Sequence, residues 1–354
     1  MGVSVTVPTP TLRGGRPLAL WPLAVANLVA NLGIVVTGGA VRLTGSGLGC
    51  PTWPRCTERS FVPHGELGVH GVIEFGNRTL TLVLAAIAIA CWMAALVALV
   101  RSWHGRRDWS PFVLSTVVAL GVPAQALVGG ITVLTDLNPW IVSLHLLISM
   151  AMIGICVWLL DVLRGPARDG GTRAVRSLAW LVLVVGWVVL YVGTVVTGSG
   201  PHAGDLGSPR NGLNPVHVSQ VHADVVFLFV GLTVGLAYAA PRAARRPVLV
   251  LLGLQVAQSL VGFVQFFTDL PIVLVGIHLL GAALISAALT WVVLRVHRRG
   301  LRPEAGPVPA GDPAGDRRAL AGGIRRGSAG TQGPSSSQRV SSGSSATETK
   351  SSDR

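Results

Sequence analysis

The sequence is poor in charged residues. Asp, Glu, Lys and Arg together make up 12% of its 354 residues, about half of the share that is usual for a soluble domain, whereas hydrophobic residues make up 50%. Lysine occurs once, at Lys350, so the net charge of +13 is almost wholly due to arginine. The arginines lie in short segments between hydrophobic runs and in the C-terminal tail. This pattern sets membrane topology and argues against a nucleic-acid partner.

Several cofactor motifs are also missing. The sequence has four cysteines but no C-x-x-C-H motif, which excludes covalent attachment of a c-type haem. It has no motif for flavin, nicotinamide or copper, and the spacing of Cys50 and Cys56 is not that of a zinc knuckle. Any haem bound by this chain is therefore expected to be held non-covalently.

Long hydrophobic runs, by contrast, are abundant. Eight of them can each cross a hydrocarbon core of about 30 Å, which predicts an all-α polytopic membrane protein with eight transmembrane helices. The predicted spans are residues 18–41, 67–100, 111–134, 140–163, 174–197, 215–240, 247–267 and 272–296.

The loops between the spans alternate in charge. Arginines follow spans 2, 4, 6 and 8, whereas the intervening loops contain few. The positive-inside rule therefore predicts a multi-pass plasma-membrane protein with both termini in the cytoplasm, and it places loops 43–66 and 198–214 outside. From about residue 300 the sequence is rich in Gly, Pro, Ser and Arg, which predicts a disordered tail.

The chain contains an internal repeat. PAQALVGGITVLTDLNPWIVSLHLL (123–147) resembles VAQSLVGFVQFFTDLPIVLVGIHLL (256–280) at a constant offset of 133, and the matches include polar residues. VVTGGAVRLTGSG at 35–47 likewise resembles VVTGSG at 195–200. Duplication predicts two pseudo-symmetric four-helix bundles related by an axis along the membrane normal, with one site in each. The predicted organisation is an N-terminal segment (1–17), a first half (18–164), a linker (165–173), a second half (174–297) and the tail (298–354).

Three histidines lie at one predicted depth. His145, His222 and His278 come six or seven residues into spans 4, 6 and 8, about 10 Å below the outer surface. A lone histidine in a membrane often only hydrogen-bonds a neighbouring helix. Imidazoles from different helices at matching depth are instead typical of axial ligation of haem iron, so His222 and His278 are predicted to hold one haem.

Two further groups of residues point to chemistry. Glu74 lies at a similar depth in span 2, where a carboxylate is costly unless it is functional or pairs with Arg78, one turn away. Cys50 and Cys56, on the oxidising side, are close enough to close a small disulfide loop. Whether that disulfide is structural or redox-active is open.

Taken together, these motifs resemble haem A synthase. They are RLTGSGLGCPTWPRC after span 1, EFGNR in span 2, one histidine in each of spans 4, 6 and 8, and the duplicated halves; TGSGPHAGD (197–205) and VHAD (221–224) resemble its actinobacterial members. The resemblance covers about residues 18–296. It implies oxidation of the C8 methyl group of haem O to a formyl group, giving haem A for aa3-type terminal oxidases. It implies haem O synthase as substrate donor, and it leaves homo-oligomerisation open.

The resemblance also implies roles for residues. His222 and His278 would hold a haem b cofactor, His145 the substrate haem, and Glu74 would be catalytic, with Arg78 at a haem propionate and Cys50–Cys56 as the outer-loop disulfide. Where the family has a histidine in E-x-x-H-R, this sequence has Asn77, and an amide is a poor iron ligand.

Three readings of the substrate site follow from this departure. His70 replaces the missing ligand, or His70 contacts a propionate, or His145 ligates the substrate haem alone. Two other functions also fit the histidines: a di-haem b-type protein that exchanges electrons with quinone, and a haem transporter or binding module.

Overall fold

The computed structural model describes residues 11–12, 16–17, 19–101, 108–165 and 170–297. In these ranges the chain forms eight long α-helices, a 3-10 turn at Gly65–Leu67, and two short antiparallel strands, β1 (Thr11–Leu12) and β2 (Arg16–Pro17). The helices are α1 (Leu20–Leu43), α2 (Gly68–Arg101), α3 (Ser110–Leu134), α4 (Pro139–Arg164), α5 (Arg173–Ser199), α6 (Pro215–Ala239), α7 (Arg242–Phe267) and α8 (Ile272–His297).

All eight helices are long and apolar enough to cross a membrane. The eight predicted spans are confirmed, and their ends agree within about two residues except at the start of α7. That helix begins at Arg242, five residues before the predicted 247, because three arginines form its first turns ahead of Pro247. The predicted disordered tail, 298–354, lies outside the described residues, as does most of the N-terminal segment 1–17.

The helices pack in two rings. Each of α1–α4 packs against its sequence neighbour, and α4 closes back onto α1; α5–α8 do the same, with α8 closing onto α5. The rings meet where α4 packs on α8 and α5, and α1 on α8. Between them, Val35, Met150, Ile153 and Leu190 form a buried apolar cluster. That these two rings are the two pseudo-symmetric four-helix bundles expected from duplication stays a prediction.

The repeat is visible in the backbone. After α3 the chain turns through two residues with positive φ, Asp136 at 52° and Leu137 at 60°. After α7 the turn recurs at Asp269 and Leu270, both at 57°, again at an offset of 133. Residues other than glycine rarely adopt this conformation, so the equivalence extends from the sequence to the local fold.

Candidate functional site

A cavity of about 1420 Å³ lies between the helices, and all eight contribute to its lining. It is nearer to the end of the molecule where α1 ends and α2 begins, which we call the outer end. Its lining is mainly apolar, and its volume exceeds the range of about 300–1,000 Å³ that is typical of a site for one small molecule. The cavity therefore has room for more than one such ligand.

The three predicted histidines all line this cavity. His145, His222 and His278 each have a buried Nδ1 atom that meets no hydrogen-bond partner of normal geometry among the described residues. A buried Nδ1 atom is closed to a ligand, which leaves Nε2 of each ring as the nitrogen that could bind one, such as the iron of a porphyrin.

Each imidazole lies against a glycine of the preceding helix. A Cβ atom added to these glycines would come within 3.2–3.5 Å of the ring Cε1, so a larger residue would crowd the ring. The pairs are Gly129 with His145, Gly193 with His222, and Gly262 with His278. The glycines thus form cradles that fix where the rings stand.

A glutamine fixes the backbone at two of the histidines. The Gln125 side chain donates to the His145 carbonyl at 3.0 Å, and the Gln258 side chain donates to the His278 carbonyl at 3.3 Å. Gln258 and His278 lie 133 residues after Gln125 and His145. Both halves therefore hold the helical turn that carries the histidine in the same way.

The histidine-bearing helices stand at diagonal corners of their rings. No contact is found between the described residues of α6 and α8, so His222 and His278 approach the cavity from opposite corners. The described residues of α2 and α4 are likewise apart. His145 stands on α4, and the cavity-lining residues of α2 opposite to it include Glu74 and Asn77.

Glu74 is the buried carboxylate at the first of these corners, with 5% of its surface exposed. Its Oε2 accepts the backbone N–H of Cys50 at 2.6 Å, and its Oε1 accepts from the guanidinium of Arg78. Arg78 also donates to the carbonyls of Cys50, Thr52 and Arg55. The predicted i, i+4 ion pair is thus present, and together with the loop it satisfies a charge that would otherwise be costly to bury.

The loop on Glu74 is closed by the predicted disulfide, which joins Cys50 and Cys56. From this loop Trp53 reaches across to α3, where its indole lies on the backbone of Gly130 and leaves no room for a side chain there. Trp53 and Pro54 also line the cavity. The loop is therefore a wall of the site as well as a partner of Glu74.

Comparison with known proteins places this chain in a family. The COX15-CtaA model, described as cytochrome oxidase assembly protein, matches residues 21–203, just over half of the chain. The chain belongs to the COX15-CtaA family. The match includes Glu74, Arg78, both disulfide cysteines and His145.

Among curated relatives of this COX15-CtaA protein are heme A synthases. That of Geobacillus thermodenitrificans is 31% identical over 146 residues, which are 41% of this chain and 43% of the relative. That of Geobacillus kaustophilus is 32% identical over 127 residues, 36% of this chain and 37% of the relative. The chain thus spans less than half the length of these two relatives. A heme A synthase of Rhizorhabdus wittichii is 26% identical over 344 residues, 80% of this chain and 95% of the relative.

One predicted site residue of the COX15-CtaA chain lies apart from the others. His70 is exposed, its Nδ1 is 2.9 Å from Ser46 Oγ, and it is not among the residues that line the cavity. Its i, i+4, i+7 relation to Glu74 and Asn77 suggested a shared face, but His70 lies in the first turn of α2, where it meets the loop after α1. The structure does not bring it together with the other three histidines.

Sequence reasoning missed several cavity residues of this family member. Arg42, at the end of α1, donates to the carbonyls of Thr197 and His202 in the second half. The Gly47 N–H donates to the Gly204 carbonyl, so the loops that begin with the similar TGSG segments, at 44–47 and 197–200, meet each other. The similarity of these segments was the available signal, but it does not reveal that they touch.

Proposed function

We propose that this protein is a haem A synthase, which oxidises the C8 methyl group of haem O to a formyl group. The observation that carries the proposal is one cavity lined by the imidazoles of His145, His222 and His278 and by the buried carboxylate of Glu74. The printed names of the relatives agree with it. An electron carrier needs the imidazoles but has no use for a carboxylate held between an arginine and a disulfide loop.

His222 and His278 would hold the haem b cofactor from opposite corners of the α5–α8 ring. Their glycine cradles and their places at opposite corners of the cavity fit an axial pair. When bound there, haem b would supply a one-electron relay next to the substrate. His145 would be the axial ligand of the substrate haem in the α1–α4 ring.

Glu74 would act on the methyl carbon as it is oxidised. With water as oxygen source, one methyl group and one water give a formyl group, four protons and four electrons, and the electrons pass to an external one-electron acceptor. The Glu74 carboxylate can stabilise positive charge that develops at that carbon, or accept a proton from the attacking water. Arg78 and the Cys50 N–H hold the carboxylate in place, and Arg78, the predicted propionate partner, already bonds three carbonyls of the loop.

The product would serve aa3-type terminal oxidases, and haem O synthase would supply the substrate. We also infer a plasma-membrane location with both termini in the cytoplasm, so that the outer end faces the oxidising side. The disulfide at that end and the arginines at the opposite helix ends support this orientation.

The test is Glu74→Gln, compared with Glu58→Gln, which makes the same change at an exposed residue of the disulfide loop. Each protein is co-expressed with a haem O synthase, and the extracted haems are separated by chromatography. Glu74→Gln should retain haem B, accumulate haem O and lose haem A by about a hundredfold or more, whereas Glu58→Gln should match the wild type. Normal haem A from Glu74→Gln would remove the assignment, and two haem B per chain without haem A in the wild type would favour the electron carrier.

A further inference from the structure

The most informative unexplained residue of the cavity is Asn77. It lies on α2, lines the cavity, and stands at the corner diagonal to His145. In the other ring the corresponding diagonal is formed by His222 and His278. Asn77 thus occupies a corner at which the second half provides an imidazole.

The orientation of the Asn77 amide is fixed by α1. The Thr37 hydroxyl donates to Asn77 Oδ1 at 2.8 Å. No described residue accepts a hydrogen bond from Asn77 Nδ2, which is 4.0 Å from the position of a Cβ on Gly38. With its oxygen already engaged, Asn77 has its NH2 group left to offer to a ligand. An amide NH2 is a hydrogen-bond donor and not a ligand for iron.

None of the other described residues that line the cavity supplies the missing nitrogen ligand: His202, in the loop after α5, has its Nε2 2.9 Å from the Leu270 carbonyl. Among the described residues of α1–α4 that line the cavity, only His145 has an imidazole side chain. Met150 and Met152 also line it, but they lie on the same helix as His145 and therefore not at the opposite corner. His70 is outside the lining and is bonded to Ser46.

We propose that Asn77 is the hydrogen-bond donor of a small-ligand site on the face of the substrate haem opposite to His145. The ligand class is a small polar molecule or anion, such as water, hydroxide or cyanide. The site rests on the proposed function, because that function assigns this ring to the substrate haem. The two haem irons would then differ in reactivity. The haem b iron is held by two imidazoles, whereas the iron of the substrate haem can bind a small ligand on the Asn77 side.

The experiment uses full-length protein co-expressed with a haem O synthase and purified with both haems. Cyanide is titrated into the oxidised protein, and carbon monoxide is added to the reduced protein, with optical and resonance Raman detection. In the wild type, the haem O should bind both ligands and the low-spin haem b should bind neither. Asn77→Leu should weaken cyanide binding by at least about tenfold, the effect expected for one lost hydrogen bond to an anion.

Two further variants make the result specific. Asn77→His should turn the haem O low-spin and abolish carbon monoxide binding, because it supplies the absent imidazole. Thr37→Val, which releases the amide oxygen, should weaken cyanide binding less than Asn77→Leu does. The haem b spectrum is the internal control for folding and should be the same in all variants.

The possible failures are distinguishable. If wild-type haem O is low-spin and binds neither probe, or if Asn77→Leu leaves cyanide affinity unchanged, the Asn77 proposal is overturned while haem A production still supports the synthase. If the purified protein contains no haem O and makes no haem A, the proposed function fails, and the Asn77 site fails with it.

Discussion

The cavity has a first end, lined by α1–α4, and a second end, lined by α5–α8. At the first end Gly130 of α3 leaves room for Trp53 of the disulfide loop, whereas the residue 133 positions later, in α7, is Phe263, which lines the cavity itself. One end thus receives an aromatic wall from a loop and the other from a helix. Loops can move without unwinding a helix, and they commonly gate access to enzyme sites. The end with the helical wall suits a resident cofactor, and the end with the loop wall suits a ligand that must enter and leave.

The polar side chains at the two ends of the cavity also differ. At the second end both diagonal corners carry imidazoles, His222 and His278. At the first end the corner on α2 carries Asn77, and Glu74 lies three residues before it; three residues before His222 is Ser219. Duplication has therefore kept the scaffold of glycines and glutamines while the groups that would do chemistry have diverged.

The largest predicted effect comes from replacing one histidine at each end of the cavity. His278→Ala should reduce haem B to about a hundredth or less, because loss of a direct iron ligand exceeds the 10- to 100-fold cost of losing an outer partner. His145→Ala should keep haem B and lose retained haem O. Pyridine haemochrome spectra and chromatography of extracted haems measure both.

Equal loss of haem B in the two variants would show that the ends are not specialised. His217→Ala is a suitable control, because this histidine is exposed in the first turn of α6.

The second prediction concerns the disulfide loop. Replacing Cys50 and Cys56 together with alanine should lower haem A output by about ten- to a hundredfold, because the loop N–H that holds the Glu74 carboxylate contributes about 1.5–3 kcal/mol when aligned. Haem B content should not change, since the hydrogen bonds found for residues 50–56 go to the loop itself and to α2. The ratio of haem A to haem O in extracts checks this.

Dithiothreitol should lower the output of the wild type and leave that of the double variant unchanged, because the variant has no disulfide to reduce. Full activity of the double variant would show that Glu74 does not depend on the loop.

How far the sequence predicted this molecule depends on the range of the contacts. The spans, the repeat and the predicted common depth of His145, His222 and His278 follow from local periodicity and spacing. The structure confirms the spans, and all three histidines line one cavity. The contact of Trp53 with Gly130 and the bond from Cys50 to Glu74 join segments far apart in the chain. Periodicity carries no information on such pairs.

His70 shows what helical spacing leaves undetermined. Helical spacing correctly places it on the side of α2 that carries Glu74, yet it lies beyond the cavity. Spacing predicts a direction around a helix but not where a cavity begins along it, since the loop that covers the first turn of α2 is itself a tertiary feature.

The smallest expected effect is that of Trp53→Ala, which tests the loop wall directly. Removing the indole from the cavity wall should speed the release of haem O by about two- to tenfold, the equivalent of the 0.5–1.5 kcal/mol that an aromatic pair, here indole and porphyrin, would add beyond its buried area. Release of haem B should be unchanged, because Phe263 remains in place. Transfer of each haem to an excess of apomyoglobin, followed by absorbance, measures the two rates in one sample.

Trp158→Ala is the matched control, since Trp158 lies exposed on the outside of α4. If Trp53→Ala accelerates both haems equally, Trp53 stabilises the whole bundle and the two ends do not differ in access.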